Sequence, residues 1–189
     1  MPSFPQPLAL TDIVILDRDG VINHDSDLYI KSPEEWLPID GSIDAIARLH
    51  QSGIKVVLAT NQSGIARGLY SEATLALIHD KMNNLIKQAG GELAGIFYCP
   101  HGPDDHCDCR KPLPGLIKQI ADSLQIDPTN VPFIGDSVRD LLAAQAAGCQ
   151  PILVKTGKGQ RSLDSGKVDN DVPVFEDLAS FVHTWLADR

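Results

Sequence analysis

Residues 13–23 read IVILDRDGVIN: four consecutive aliphatic residues, two aspartates two positions apart, then a glycine. An unbroken apolar run of this kind marks a strand buried on both faces, because a strand with one wet face alternates polar and apolar residues. We place a strand at Ile13–Asp17. Along an extended chain alternate side chains share a direction. Asp17 and Asp19 are therefore expected to enter one cavity, and Gly20 permits a sharp turn behind them.

Four more short runs rich in Val and Ile read the same way: Ile54–Thr60, Gly95–Cys99, Val131–Gly135 and Pro151–Lys155. Helical patterns lie between them, near Ser42–Gln51, Ser71–Ala89, Pro114–Leu124 and Val138–Ala147, with a last one over Phe175–Leu186. In the second, Leu75, Ile78, Met82, Leu85 and Ile86 recur at helical spacing and form a core stripe. Gly53, Gly90 and Gly148 follow helix ends, where a left-handed residue is wanted, and Ser71 precedes Glu72 as a cap. Strands alternating with helices specify an α/β fold with a central parallel sheet and right-handed crossovers. The stretch 157–171, rich in Gly, Ser, Lys and Asp, is expected to be a mobile loop.

A chain of 189 residues suffices for one domain with its own core, and no domain boundary is visible over 1–189. No apolar run approaches the roughly 20 residues that span a bilayer. The opening MPSFPQPLAL lacks a basic start and a long apolar centre, so residues 1–11 read as a disordered lead-in rather than an export signal, and a cytoplasmic location is expected. The 16 basic and 25 acidic residues give a net charge of -9, which argues against a nucleic-acid or acidic-membrane surface. No assembly motif is present, and a monomer is expected.

In open parallel sheets, ligands sit at the carboxyl ends of the strands. Asp17 and Asp19 follow the first strand, Thr60 and Asn61 end the second, Arg110 and Lys111 lie beyond the third, and Asp136 follows the fourth. Clustered carboxylates repel one another unless a cation joins them, and Mg2+ is the hard, oxygen-seeking choice. This set suits phosphoryl transfer. One carboxylate attacks phosphorus and forms an acyl phosphate, and a second moves the proton. A hydroxyl from Thr60 and the charge of Lys111 hold the equatorial oxygens. A D-x-D taken alone is also an ordinary solvated turn; the strand-end placement, Thr60, Lys111 and the GDS turn at 135–137 weigh against that.

The segment CPHGPDDHCDC (99–109) holds two close pairs, Cys99 with His101 and Cys107 with Cys109. Three thiolates and one imidazole suit a tetrahedral, structural Zn2+ with no open position. His106 is a rival ligand, but it directly precedes Cys107 and would strain the chelate. A zinc knot next to Arg110 and Lys111 would fix a loop over the site and aim both cations inward.

Four segments in order, DRDGVIN (17–23), ATNQSG (59–64), CRKP (109–112) and IGDSVRD (134–140), resemble the motifs of the haloacid dehalogenase superfamily of phosphatases. The resemblance covers about residues 12 to 160. It implies a Rossmann-like three-layer sandwich with no large cap domain and a small zinc-binding loop. It also implies Asp17 as nucleophile and Asp19 as general acid/base, with Thr60 and Lys111 holding the phosphoryl group. Mg2+ would be bound by the carboxylates of Asp17 and Asp136 and the backbone carbonyl of Asp19. Asp140 would orient its neighbours. A two-component receiver domain uses similar residues, but there the phosphoaccepting Asp precedes Thr and Lys after an early acidic pair, and the order here differs.

The zinc loop followed by CRKP, together with TNQSGIARG (60–68), is similar to the branch that removes the C7 phosphate of D-glycero-D-manno-heptose 1,7-bisphosphate in lipopolysaccharide-core biosynthesis. Histidinol-phosphate phosphatases carry the same kind of loop and are the alternative. The first resemblance implies a phosphorylated sugar as substrate. It implies contacts from Asp25, Ser26, Asp27 and Leu28, from Thr60, Asn61, Gln62 and Ser63, and from Arg110 and Lys111, with Arg110 taking the second phosphate. Arg67 is either a surface cation or a neighbour of the substrate. A non-enzymatic zinc-knuckle module is the reading of another class; it predicts no phosphate release from any ester.

Overall fold

The computed structural model describes residues 8–189. Six strands alternate with six helices: β1 (Ile13–Leu16), α1 (Ser42–Gln51), β2 (Lys55–Asn61), α2 (Glu72–Gln88), β3 (Gly95–Cys99), α3 (Gly115–Leu124), β4 (Pro132–Gly135), α4 (Val138–Ala146), β5 (Gln150–Val154), α5 (Gly159–Asp164), β6 (Val174–Phe175) and α6 (Leu178–Ala187). The strands form one parallel sheet in the order β3-β2-β1-β4-β5-β6.

The aliphatic runs are continuous because each strand faces two cores. Val14 and Leu16 of β1 pack into one cluster with Val56, Leu58 and Ile134, beneath α1, α2 and α6. Ile13 and Ile15 face the other way, with Val57, Ala59 and Phe133, against α3 and α4. The result is a three-layer sandwich, in which burial of both faces supplies the main favourable term. On α6, Leu178, Phe181, Val182 and Trp185 are buried, and the Phe181 ring stacks on Trp185 at 5.7 Å between centroids. Ser71 caps α2 by accepting from the Thr74 N–H, and Gly53, Gly90 and Gly148 all have positive φ. No helix among the described residues is long and apolar enough to cross a membrane.

The order of strands reverses direction in sequence between β1 and β4. That crevice is the topological switch point, where ligands bind in such sheets. Leu16 pairs with Leu58 on one side and with Ile134 on the other, so the chain emerges from all three strands at nearly one level. Asp17, Thr60 and Asp136 lie at these exits.

Three expectations need correction. The stretch 157–171 is not simply a loop: Gly159–Asp164 forms α5, and Ser162 Oγ donates to the Asp136 carbonyl at 3.1 Å. The last helix begins at Leu178, because Val174–Phe175 pairs with β5 as a sixth strand and Asp177 supplies the cap. Of the lead-in, residues 1–7 lie outside the described residues, but residues 8–11 are anchored. Leu8 is buried, the Ala9 N–H donates to Gln150 Oε1, and Trp185 Nε1 donates to the Ala9 carbonyl.

Candidate active site

A cavity of about 320 Å³ opens at the switch point, lined by Asp17, Asp19, Thr60, Asn61, Gln62, Ser63, Arg110, Lys111, Asp136 and Asp140 from the sequence motifs. Asp17 is the first residue beyond β1. Its Oδ1 accepts from the Arg18 backbone N–H at 2.7 Å and from Lys111 Nζ at 2.9 Å. No hydrogen-bond donor among the described residues reaches Oδ2, so the protein fixes the carboxylate through one oxygen.

Lys111 is only 2% exposed. Its Nζ also meets Asp140 Oδ1 at 2.6 Å and the Ala59 carbonyl at 2.9 Å, so all three donors are directed. The Asn61 side chain clamps the Lys111 backbone, donating to its carbonyl and accepting from its N–H. Asp140, in the first turn of α4, accepts through Oδ2 from the Ser137 N–H and hydroxyl in a capping box. Both its oxygens are therefore engaged, as suits a residue that orients Lys111.

Asp17, Asp136 and Asp140 offer oxygens that all lie within 4.8 Å of one another. Burial first, then repulsion from Asp140, raises Asp17 to about 7 despite the pull of Lys111. Burial, then Asp140 and Asp17, raises Asp136 to about 8. Burial acts in the same direction on Asp140, but Lys111 and Ser137 overcome it and hold that carboxyl below its usual range. Burial would lower Lys111, yet Asp140 and Asp17 raise it. Two buried carboxyls that resist ionisation beside each other are the site that a hard divalent cation satisfies.

The backbone around Asp136 is packed against it. The Lys158 N–H donates to Asp136 Oδ2 at 2.7 Å. A Cβ on Gly20 would lie 2.0 Å from that oxygen, and one on Gly157 2.2 Å from it; both glycines have positive φ. Lys158 also pairs through Nζ with Asp25 Oδ2, tying the 23–30 loop to the Asp136 side of the cavity. Residues 157 and 158 escaped the sequence reading, although they follow the end of β5, where the strand-end rule points.

The Asp19 carboxylate lines the cavity but is heavily held. Arg18 contacts both its oxygens, Asn23 Nδ2 donates to Oδ1 at 2.8 Å, and Gln62 Nε2 donates to Oδ2 at 3.1 Å. Burial raises its pKa, and Arg18, Asn23 and Gln62 outweigh that and lower it. Gln62 also donates to Thr60 Oγ1 and accepts from Arg18 and the Tyr70 hydroxyl. Its amide is thus saturated by the protein. Asp25, Ser26 and Asp27 line the cavity, but Leu28 does not: its side chain is 78% exposed, while Tyr29 and Ile30 face inward. Arg67 lines the cavity with its guanidinium 5.9 Å from the Tyr29 ring centroid. Arg139, overlooked in the sequence, lines it too.

Beside the cavity, Cys99, His101, Cys107 and Cys109 form a second cluster, without His106. The contacts Cys99–Cys107, Cys99–His101 and His101–Cys109 measure 3.6, 3.6 and 3.4 Å between ligand atoms. A zinc tetrahedron with bonds of about 2.3 Å to sulfur and 2.0–2.1 Å to nitrogen has edges of roughly 3.5–3.8 Å. The four atoms therefore fit Zn2+, with no position left for water. Arg110 Nη1 donates to the His101 carbonyl at 3.2 Å, which couples this knot to the cavity wall.

A HAD-hydrolase-like family model matches residues 108–181. The D-glycero-beta-D-manno-heptose-1,7-bisphosphate 7-phosphatase of Bordetella bronchiseptica is 54% identical over 93% of this chain and 98% of its own length. Its counterpart in Pseudomonas putida is 57% identical over 89% and 95%. The crystal structure of the B. bronchiseptica D,D-heptose 1,7-bisphosphate phosphatase complexed with magnesium and phosphate superposes with a TM-score of 0.92 at 53% identity, covering 95% of this chain and all of the other. The chain belongs to the D-glycero-D-manno-heptose 1,7-bisphosphate 7-phosphatase family of HAD-like hydrolases.

Proposed function

We propose that this chain hydrolyses the C7 phosphate of D-glycero-beta-D-manno-heptose 1,7-bisphosphate, with Asp17 as the nucleophile. The observation that carries the reading is the setting of Asp17: it lines the cavity, its Oδ1 is pinned by Lys111 and the Arg18 N–H, and no donor among the described residues reaches Oδ2. Asp17 Oδ2 forms a bond to phosphorus as the bond from phosphorus to the C7 oxygen breaks. Asp19, which Arg18, Asn23 and Gln62 hold below the usual carboxylate range at rest, must enter the step protonated, and it gives that proton to the departing oxygen. Asp19 then takes a proton from the water that attacks phosphorus, and the bond from phosphorus to Asp17 breaks. The buried charge of Lys111, whose donors the protein already directs, stabilises the charge on the phosphoryl oxygens, and the Thr60 hydroxyl, which accepts from Gln62 Nε2, has its proton free to donate to one of them.

Asp17, Asp136 and the Asp19 carbonyl would hold Mg2+, which supplies charge neutralisation so that an anionic carboxylate can approach an anionic ester. Zn2+ on Cys99, His101, Cys107 and Cys109 would be structural. Arg110, half-buried and without a carboxylate partner among the described residues, suits the second phosphate through its planar fork. The reading further takes the chain as one cytoplasmic domain acting as a monomer; light scattering should return one chain mass, and unfolding should be a single transition.

The test is a panel of both heptose bisphosphate anomers, heptose 7-phosphate and histidinol phosphate, with wild type and Arg110→Ala. Wild type should show its highest kcat/KM with the beta bisphosphate. Arg110→Ala should erode the preference for bisphosphate over monophosphate by about tenfold or more, in line with the 2–5 kcal/mol range for one partner of a charged pair. A clear preference for histidinol phosphate overturns the assignment.

A further inference from the structure

Arg18 sits between the two motif aspartates and is fully buried. A buried cation is tolerated only when it is paired and its donors are satisfied. Its one ion-pair partner among the described residues is Asp19, met through Nε at 3.2 Å and through Nη2 at 2.9 and 3.0 Å. Of the remaining contacts, one runs away from the cavity to α2 and the other reaches the cavity-lining Gln62. Nη1 meets His79 Nε2, on α2, at 3.3 Å, and Nη2 donates to Gln62 Oε1 at 3.2 Å.

Each partner is itself fixed. His79 is 7% exposed, and burial followed by the Arg18 charge lowers its pKa to about 3, so the ring is neutral. Facing a guanidinium, Nε2 must be the acceptor, which leaves the proton on Nδ1. Gln62 accepts from the Tyr70 hydroxyl at 2.6 Å and donates to both Asp19 and Thr60. A chain of contacts therefore runs from α2 through His79 and Arg18 to Asp19. Gln62 braces it against Thr60.

We propose that His79 is a positioning residue for proton transfer: it fixes the Arg18 guanidinium, which with Gln62 and Tyr70 aims the Asp19 carboxylate at the departing oxygen. The inference rests on the reading of Asp19 as the general acid/base. Its consequence is selective. A sugar alkoxide leaves poorly unless it is protonated, whereas p-nitrophenolate leaves without a proton. Loss of aim at Asp19 should slow phosphorylation of the enzyme by a sugar phosphate and spare p-nitrophenyl phosphate. Loss of folded protein would lower both equally.

The experiment compares kcat/KM, which reports the phosphorylation half-reaction, for the heptose bisphosphate and p-nitrophenyl phosphate in wild type, His79→Leu, His79→Gln, Tyr70→Phe and Asp19→Asn. Acid–base catalysis is worth about 10²–10⁴-fold, and removing the buttress should forfeit part of it: roughly tenfold on the sugar substrate and under about twofold on the nitrophenyl ester in His79→Leu. His79→Gln, which keeps an acceptor, should recover most of the loss. Asp19→Asn should show the same split, larger. Equal losses on both substrates in His79→Leu, or no loss, overturn the inference while a split in Asp19→Asn keeps the role of Asp19. Absence of the split in Asp19→Asn overturns that role itself. If His79→Leu does not fold, His79→Met, which also removes the ring acceptor, decides by the same comparison, with equal effects on the two substrates as the contrary result.

Discussion

The Lys158 backbone N–H donates to Asp136 Oδ2 at 2.7 Å, and Gly157 packs beside the same oxygen. A side chain at Gly157 would place Cβ 2.2 Å from that oxygen and 2.5 Å from Gly20 Cα, at a φ of +57° that disfavours non-glycine residues. Gly157→Ala should displace Asp136 from its place in the carboxylate cluster. Strain of about 1–3 kcal/mol corresponds to roughly 5- to 150-fold in Mg2+ affinity if the site absorbs it. A magnesium titration of activity should show that shift in the concentration for half-maximal rate; an unchanged titration speaks against Asp136 as a metal ligand.

Zinc removal should act on substrate binding more than on chemistry. The Cys99–His101–Cys107–Cys109 knot holds the His101 carbonyl that accepts from Arg110, whereas Lys111 is independently clamped by Asn61. After chelation verified by elemental analysis, KM for the bisphosphate should rise by a larger factor than kcat falls, and the thermal midpoint should drop because structural zinc contributes to folding. Unchanged KM and midpoint in verified zinc-free protein contradict this.

His79 gives the fold an acid-sensitive element. Its folded pKa is about 3, below its ordinary 6.5. Above 6.5 both folded and unfolded chains carry a neutral ring, and the contribution is fully present. As pH falls from 6.5 toward 3, the unfolded chain takes up a proton that the folded chain excludes, and stability is lost. Denaturant unfolding at about pH 7 and about pH 4 should therefore show a smaller difference in His79→Gln than in wild type. An identical difference would mean that the ring is not held neutral by burial beside Arg18.

The strands and the site were legible for one reason: a doubly buried parallel strand leaves an unbroken apolar run, and polar residues at its carboxyl end stand out. Asp17, Thr60 and Asp136 were found in this way. The zinc knot was legible because four soft ligands fall within eleven residues. What escaped depends on contacts across distant sequence. His79 lies 61 residues from Arg18, and nothing local marks it as an acceptor. β6 is two residues long and joins the sheet through its pairing with β5. The 157–158 backbone has a loop composition, yet Asp136 orders it. Of the residues expected to contact substrate, Leu28 lies outside the cavity lining, whereas Gln62 lines it with a side-chain amide whose donors and acceptor are engaged by Asp19, Thr60, Arg18 and Tyr70.

The carboxylate cluster also sets an expectation for Asp17→Asn. Burial and repulsion raise Asp17 to about 7, so its charge opposes folding when no metal is present. The metal-free variant should be at least as stable as wild type at about pH 8, and its turnover should fall to background. A destabilised variant would show that the Lys111 ion pair outweighs the repulsion; residual wild-type turnover, with deamidation excluded, would remove Asp17 from the chemistry.

Phosphorylation of Asp17 can be trapped. Wild-type enzyme mixed with Mg2+ and bisphosphate, quenched within a turnover and reduced with borohydride, should yield homoserine at position 17 on peptide mass spectrometry, because the reagent reduces an acyl phosphate and spares a free carboxylate. Homoserine at position 17, absent without substrate, is the expected result. Unmodified Asp17 in a sample that has released phosphate, or homoserine at another aspartate, would contradict the account.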